Sequence, residues 1–221
     1  MVTKLAVIPA RGGSTRLRDK NIHPLGGKPL IRWIVEAVLN SGCFDDVLIS
    51  TDSDHIFAAV SDLPVKRHHR PDTHATVSAT ALNAMLDLMK HSQKYDVFAY
   101  FLPTCPFVSS EDIQAGIEMM DKNTDFVISM SEMPAPIQLA CILAGDNVIP
   151  VFDNLIAGLT NSKFIQKYHK PAGAFYMGKW DQILQAQNFF KGNVKGVLIP
   201  KERALDIDDI NDIRYAEIIL K

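Results

Sequence analysis

Residues 5–16 read Leu5-Ala6-Val7-Ile8-Pro9-Ala10-Arg11-Gly12-Gly13-Ser14-Thr15-Arg16. The four apolar residues at the start are typical of a short buried strand, and the polar, glycine-rich part after them is typical of a loop. In an open α/β sheet such a loop lies at the carboxyl end of its strand, which is the edge where ligands bind. This stretch therefore predicts both a fold class and the place of a binding site.

Short apolar runs alternate with segments of helical period along the first half of the chain. The strand-like runs cover 46–50, 97–101 and 126–129, and the helical segments cover 30–39, 79–89 and 113–120. Alternating strands and helices predict right-handed crossovers and a mostly parallel sheet with helices on both faces. We therefore predict an α/β, Rossmann-like fold.

The pattern changes after about residue 130. Strand-like pieces at 137–143 and 148–151 lead into a long polar connection, of the kind that forms a functional loop or a protruding arm. Strands at 174–177 and 194–199 and helices at 179–187 and 209–220 are then expected. Since no repeat or linker interrupts the chain, we predict a single domain over 1–221, with residues 133–170 as an inserted arm.

Composition and charge exclude several classes of protein. The 221 residues include 23 Lys and Arg and 25 Asp and Glu, for a formal net charge of −2, so there is no overall positive field to bind nucleic acid or an anionic membrane surface. The longest apolar run, 97–102, is far shorter than the roughly 20 residues that cross a bilayer. The amino terminus lacks the apolar stretch of a secretory signal, which predicts a cytoplasmic protein. Three cysteines without a CxxC pair predict neither a disulfide framework nor a zinc site.

The first loop has the composition of a phosphate-binding site. Gly12 and Gly13 allow backbone N–H groups to approach phosphate oxygens closely. Four cations lie within ten residues, namely Arg11, Arg16, Arg18 and Lys20. A polyphosphate fits this local positive patch, whereas the spacings of the dinucleotide fingerprint and of the P-loop are absent. The alternative is a glycine turn with solvated basic residues.

Two carboxylates near the end of the chain form a second candidate site. Asp206 and Asp208 flank Ile207 at the end of a presumed strand, so both side chains are expected on one face. Hard oxygen ligands in such a pair suit Mg²⁺ that also binds phosphate oxygens. The alternative is helix capping, in which Asp208 or Asp209 caps the closing helix.

Several motifs together cover nearly the whole chain. In chain order they are 8–14, 20–22, 27–31, Ser50-Thr51-Asp52, Arg70-Pro71, Pro103-Thr104 with Pro106, 173–176, and Asp206-Ile207-Asp208 with Asp212. This ordered set resembles that of the cytidylyltransferases that activate nonulosonic acids, namely CMP-sialic acid synthetases and their pseudaminic and legionaminic acid relatives. Residues 136–138 and 168–169 resemble the pseudaminic acid enzymes more than the sialic acid enzymes.

The resemblance implies an enzyme that transfers CMP from CTP to the anomeric hydroxyl of a nonulosonic acid and releases pyrophosphate, with Mg²⁺ as cofactor. It also implies a homodimer in which the inserted arm pairs the two subunits. By the same resemblance, Arg11, Lys20, Asp206 and Asp208 are catalytic, and Asp206 and Asp208 are the metal ligands. The implied nucleotide-binding residues are Ala10, Arg11, Gly12, Gly13, Ser14, Lys20, Asn21, Asp52 and Arg70, and the implied sugar-binding residues are Thr104, Lys170 and Gly173.

Four of these residues have plainer explanations. Asp52 could cap the helix that follows Ser53, and Arg70 belongs to a basic run, 66–70, that is typical of a solvated surface. Thr104 lies in a turn favoured by the neighbouring prolines. Lys170 could be an ordinary surface lysine.

The chain departs from the family at three positions. Many relatives have Lys where this chain has Thr15, Gln at Leu102 and Arg at Val108. The last two departures remove polar contacts expected near the acceptor sugar. Two alternative functions therefore stay open: another sugar nucleotidyltransferase, of the ketodeoxyoctulosonate type, and a catalytically silent nucleotide-binding module.

Overall fold

The computed structural model of the protein describes residues 2–71 and 81–221. The strands are β1 (Lys4–Pro9), β2 (Pro24–Leu25), β3 (Lys28–Pro29), β4 (Asp46–Thr51), β5 (Lys66–His69), β6 (Val97–Phe101), β7 (Phe126–Glu132), β8 (Cys141–Ala144), β9 (Asn147–Pro150), β10 (His169–Lys179) and β11 (Val194–Leu198). The helices are α1 (Leu30–Ser41), α2 (Asp54–Ala58), α3 (Ala81–His91), α4 (Ser110–Glu118), α5 (Trp180–Ala186) and α6 (Ile210–Ile219). The first two residues of the helix predicted over 79–89 lie outside the described residues.

Seven strands form one twisted sheet in the order β11-β7-β10-β6-β1-β4-β5. All neighbouring pairs are parallel except those of β10, which runs antiparallel to both β6 and β7. The predicted mostly parallel α/β sheet is therefore confirmed. The strand predicted at 174–177 is longer than expected, because β10 has 11 residues and an irregular register between Pro171 and Tyr176.

Both faces of the sheet are buried, as the continuous apolar runs predict. Along β1, Ala6 and Ile8 belong to the core that α1 and α4 cover, whereas Leu5 and Val7 belong to the core that α3 and α5 cover. A third, smaller cluster around Ile207 joins α6 to the start of α1. It is this cluster that ties the carboxyl-terminal segment to the loop after β1.

Capping residues fix the helix ends near the sheet edge. The Ser53 side chain accepts a hydrogen bond from the Ile56 amide at the start of α2. Ser109 and Asp112 form a capping box at the start of α4, and α1 ends at Gly42 in the left-handed region. These residue types are the ones favoured at helix ends.

Three expectations about local structure need correction. The solvated-surface interpretation of the basic run 66–70 fails at Arg70, which is buried, whereas Lys66, Arg67 and His69 are exposed on the edge strand β5. The strand expected at 137–143 begins only at Cys141, after a 3-10 turn at Ile137–Leu139. No strand contains Asp206 and Asp208 in the described structure.

The predicted arm lies between β7 and β10, where β8 and β9 form a two-stranded hairpin. Its last two predicted residues, His169 and Lys170, belong to β10 and pair with Glu132 and Ser131 of β7. All three cysteines are free thiols. Among the described helices, none is both long enough and apolar enough to cross a bilayer.

Candidate active site

A cleft of about 380 Å³ opens at the carboxyl ends of the central strands. The loops after β1, β5 and β6 contribute its walls, which places it at the sheet edge where the sequence predicts ligand binding. Six predicted site residues line the cleft: Arg11, Ser14, Lys20, Asn21, Arg70 and Thr104. Five further residues line it as well: Pro9, Thr15, Arg16, Leu102 and Pro103.

The glycine-rich loop is held by its own hydrogen bonds. The Gly12 amide donates to Asp52 Oδ1 at 2.8 Å, and the Ser14 amide donates to the Gly12 carbonyl at 3.0 Å. The Ala10 amide donates to the Ser50 carbonyl at 2.9 Å. Three backbone N–H groups of the predicted phosphate loop therefore already have partners, and among the described residues the Gly13 amide has none.

Asp52 and Gly12 together hold the loop after β1 against the turn after β4. A Cβ atom at Gly12 would lie 3.2 Å from Ser53 Cβ, so glycine permits the close approach of the loop to the turn after β4. The capping alternative for Asp52 is wrong, because the cap of α2 is Ser53. Asp52 instead fixes the loop through the Gly12 amide.

Asn21 and Lys20 lie on a 3-10 turn that folds back under the loop. Asn21 is buried, and its Nδ2 donates to the Arg11 carbonyl at 3.0 Å. Since the turn is held in this way, Lys20 points across the cleft. Its Nζ donates to the Ile207 carbonyl at 2.9 Å and to Asp208 Oδ1 at 3.1 Å.

The basic loop after β1 (residues 10–20) and the acidic segment before α6 (residues 206–209) thus meet in space, although almost the whole chain separates them. Arg16 Nη2 also reaches Asp208 Oδ1, at 2.7 Å. Of the four predicted cations, Arg11, Arg16 and Lys20 line the cleft, whereas Arg18 has a fully solvated side chain beside Asp19. Arg16 was predicted only as one cation of the basic patch and not as an individual site residue, and its contact with Asp208 adds it to the site.

Asp206 and Asp208 alternate with the buried Ile207 as they would in a strand, although this segment is not a strand. Ile207 is buried, and its amide donates to the Thr104 carbonyl at 2.8 Å, so Asp206 and Asp208 face away from the core on either side of it. Asp206 is exposed to water, yet its pKa is raised, because nearby protein limits the hydration of its charge and Asp208 adds a like charge. A hydrogen bond from Thr104 and the charge of Lys20 act in the opposite direction.

Helix capping falls to neighbouring residues. The Asp209 side chain accepts from the amides of Asn211 and Asp212, and Asp212 completes the capping box of α6. Asp212 Oδ2 also accepts from the Asp208 amide at 2.7 Å. Capping by Asp208 is therefore wrong and capping by Asp209 is right. Asp206 and Asp208 are not among the residues that line the cleft, but the Asp208 carboxylate pairs with Arg16 and Lys20, which do line it.

Arg70 is a buried cation at the end of β5, with only 4% of its surface exposed. Burial lowers its pKa, the negative charge of Asp52 counteracts this, and the positive charge of Arg11 adds to it. The guanidinium still carries its charge at neutral pH. The placement of Arg70 in the cleft, and not on a solvated surface, agrees with a role toward an anionic or polar ligand.

The predicted sugar-binding residues separate into two groups. Thr104 lines the cleft, and Gly173 lies beside Asp206, where a Cβ atom would be 3.7 Å from Asp206 Oδ2 and 3.6 Å from Leu102 Cδ1. Lys170 is exposed near the start of β10 and is not one of the residues that line the cleft. Of the departures from the family pattern, Thr15 and Leu102 line the cleft, whereas Val108 is buried and does not line it.

Comparison with known proteins identifies the family. A family model described as cytidylyltransferase matches residues 5–154. The chain is 33% identical over 223 residues to the pseudaminic acid cytidylyltransferase of Campylobacter jejuni subsp. jejuni, covering 98% of this chain and 96% of that relative. The chain belongs to the cytidylyltransferase family.

This cytidylyltransferase is also 32% identical over 219 residues to the N-acylneuraminate cytidylyltransferase of Escherichia coli, covering 98% of this chain and 52% of that relative. Both relatives are named for nonulosonic acids, so the resemblance found in the sequence is confirmed. Among solved structures, the CMP:2-keto-3-deoxy-manno-octonic acid synthetase in complex with CTP has a TM-score of 0.72 at 16% identity, covering 99% of this chain and 98% of that chain. This likeness shows only the fold of a nucleotidyltransferase. Since the two more identical relatives are named for nonulosonic acids, the ketodeoxyoctulosonate alternative is the weaker one.

Proposed function

We propose that this cytidylyltransferase transfers CMP from CTP to the anomeric hydroxyl of a nonulosonic acid and releases pyrophosphate. The observation that carries the proposal is the meeting of the basic loop with the acidic segment, through Lys20 and Asp208. Such a site can bind a triphosphate on its cationic side and a divalent cation on its carboxylate side. Membership of the family supplies the nucleotide, and the names of the relatives supply the acceptor class.

The reaction needs positioning and charge stabilisation more than covalent chemistry by the protein. The anomeric oxygen forms a bond to the α-phosphorus of CTP while the bond from that phosphorus to the leaving pyrophosphate breaks. Negative charge develops on the phosphate oxygens, and preorganised cations stabilise it. Arg11 and Lys20 are placed for this role because both line the cleft. The hydroxyl proton passes to water as the acceptor oxygen bonds to phosphorus.

Asp206 and Asp208 fit a hard divalent cation. They present carboxylate oxygens on either side of Ile207. Desolvation and, to a smaller extent, the like charge of Asp208 raise the pKa of Asp206, so a bound cation would stabilise the charged carboxylates. No group of three or more His, Cys, Asp and Glu side chains in the described parts of the chain has metal-binding geometry. Phosphate oxygens and waters must complete the coordination, as is usual for Mg²⁺. Bound there, Mg²⁺ would neutralise charge on the phosphates.

The nucleotide is assigned to the half of the cleft between β1 and β5. Gly13 offers its amide, and Gly12, held by Asp52, sets the shape of the loop. The Ala10 amide is already bonded to the Ser50 carbonyl, so only the Ala10 carbonyl is left for a contact with the nucleotide. The remaining assigned contacts are Ser14, Asn21, Lys20 and Arg70, all of which line the cleft.

The acceptor is assigned to the other half, beside β6 and β10. Thr104 and Leu102 line this half, and Gly173 leaves open space next to Asp206. Gly173 has Leu102 and Asp206 as neighbours, whereas Lys170 pairs with Ser131 of β7 and does not line the cleft, so we leave Lys170 out of the acceptor site. Pseudaminic acid is the first acceptor to test, because residues 136–138 and 168–169 resemble those enzymes.

A pyrophosphate-release panel tests the proposed function. The four ribonucleoside triphosphates are each combined with sialic, legionaminic, pseudaminic and ketodeoxyoctulosonic acids in the presence of Mg²⁺. We expect release only with CTP and a nonulosonic acid. Release with ketodeoxyoctulosonic acid alone would favour the alternative enzyme class. Tight CTP binding without turnover of any acid would favour the silent nucleotide-binding module.

We also assign a homodimer to this protein, with the arm as the pairing element. Apolar side chains of the arm lie in water in the single chain, including Leu143 at 73% and Phe164 at 87% exposure. Such an apolar surface is stabilised when another chain covers it. We place the enzyme in the cytoplasm, where its co-substrate CTP is available.

A further inference from the structure

Two cations share one oxygen of a proposed metal ligand. Arg16 Nη2 lies 2.7 Å and Lys20 Nζ lies 3.1 Å from Asp208 Oδ1. A divalent cation approaching this carboxylate therefore meets two positive charges. The arrangement lowers the affinity of Asp208 for a metal for as long as both cations stay in place.

The two cations differ in how firmly they are held. The Lys20 side chain is only 15% exposed and makes a second hydrogen bond, to the Ile207 carbonyl at 2.9 Å. The Arg16 side chain is 67% exposed, and within the described part of the chain its charged group contacts Asp208 alone. An exposed ion pair of this kind contributes little to stability, so Arg16 can leave at small cost while Lys20 stays.

Arg16 also faces the nucleotide side of the cleft. It lines the same cleft as Ser14 and Arg11. A triphosphate bound there offers a guanidinium group several oxygens, which match its planar donors better than the single oxygen of Asp208 that it shares with Lys20. The phosphates are therefore strong competitors for Arg16.

We propose that Arg16 is a phosphate ligand that occupies Asp208 until CTP arrives, so that nucleotide binding opens the metal site. This inference rests on the proposed function, because it takes the triphosphate and the divalent cation from it. When CTP draws Arg16 away, Asp208 loses one of its two competing charges. Nucleotide binding then precedes tight binding of the cation at the two aspartates.

The test uses Mn²⁺ alone, with free Mn²⁺ quantified by electron paramagnetic resonance, and CTP alone, in the presence of EDTA. The variant is Arg16→Gln and the matched control is Arg18→Gln, which removes the same charge from a side chain that is 96% exposed beside Asp19. Without nucleotide, we expect Arg16→Gln to bind Mn²⁺ about two- to fivefold more tightly than the control. We expect it to bind CTP about tenfold more weakly than the control.

These opposite shifts are the signature of a side chain that exchanges partners, since a merely structural role would not move the two affinities in opposite directions. If Arg16→Gln matches Arg18→Gln in either measurement, the inference is overturned. A third variant, Asp208→Asn, separates this failure from that of the proposed metal site. Loss of Mn²⁺ binding in Asp208→Asn supports the metal site whatever Arg16 does. Unchanged Mn²⁺ binding in Asp208→Asn refutes the metal site and the Arg16 inference together.

Discussion

Replacing Lys20 with Met removes the charge that joins the two halves of the cleft while keeping the apolar stem. The lysine is only 15% exposed and donates to the Ile207 carbonyl at 2.9 Å and to Asp208 at 3.1 Å. Losing both hydrogen bonds should lower the free energy of unfolding by about 1.5 kcal/mol. The loss is no larger because Asp208 is 40% exposed, so water can solvate its carboxylate once the lysine is gone. For a chain of this size, that corresponds to a fall of about 3–6 °C in melting temperature.

Turnover should fall far more than stability. Removing a preorganised group that stabilises the charged phosphate oxygens of the transition state lowers kcat by about 10²–10³-fold. We expect that loss for Lys20→Met in a pyrophosphate-release assay at saturating CTP and acceptor, well below the melting temperature. Lys20→Arg, which keeps the charge, should recover part of it.

The matched control is Lys94→Met. Lys94 forms an exposed ion pair with Asp181 at 2.6 Å, near the start of β6 and thus at the opposite end of the sheet from the cleft. This variant should stay within about twofold of the parent kcat, since an exposed pair contributes little. A folded Lys20→Met enzyme with kcat within about threefold of the parent would refute the role of Lys20.

Three further outcomes are expected. Gly173 has a left-handed backbone (φ 82°), which costs a residue with a side chain about 1–2 kcal/mol, so Gly173→Ala should lower the melting temperature. The added methyl group should also fill the space beside Asp206 and lower kcat/KM. An unchanged kcat/KM would contradict the acceptor assignment. Because the pKa of Asp206 is raised on folding, its carboxylate destabilises the fold as pH rises through that pKa. Metal-free Asp206→Asn should therefore melt above the parent at pH 7, and the difference should vanish below about pH 3; an equal or lower melting temperature at pH 7 would be inconsistent with this. Light scattering should give twice the 24.6 kDa chain mass, with Phe164→Ser shifted toward monomer, and a monomeric parent protein would exclude the arm-paired dimer.

Local sequence patterns were sufficient for the main elements of the fold. Strand β1 and helix α1 follow from apolar periodicity, and their ends follow from the loop glycines and from Gly42. Strand β5 was missed because an edge strand made of Lys, Arg and His has no apolar pattern, although pairing with β4 satisfies its backbone. The length of β10 was missed for a similar reason, since its first half contains Pro171 and Gly173.

The site depended on contacts that no local pattern describes. That a basic loop and an acidic segment would each be functional could be predicted from residue type and spacing. The contact between Arg16 and Asp208 joins residues 192 positions apart, so only the folded chain shows that Arg16 belongs to the cleft. Burial of Val108 is likewise a property of packing, and only the structure shows that this position does not line the cleft.

A crystal structure with CTP and Mn²⁺, with anomalous scattering recorded for the metal, tests the joint use of the two segments. We expect an anomalous peak bonded to oxygens of Asp206 and Asp208 and to a phosphate oxygen, with Arg11 and Lys20 contacting the triphosphate. A metal bound to the triphosphate without either aspartate, or a triphosphate bound away from Arg11 and Lys20, would contradict the proposed site.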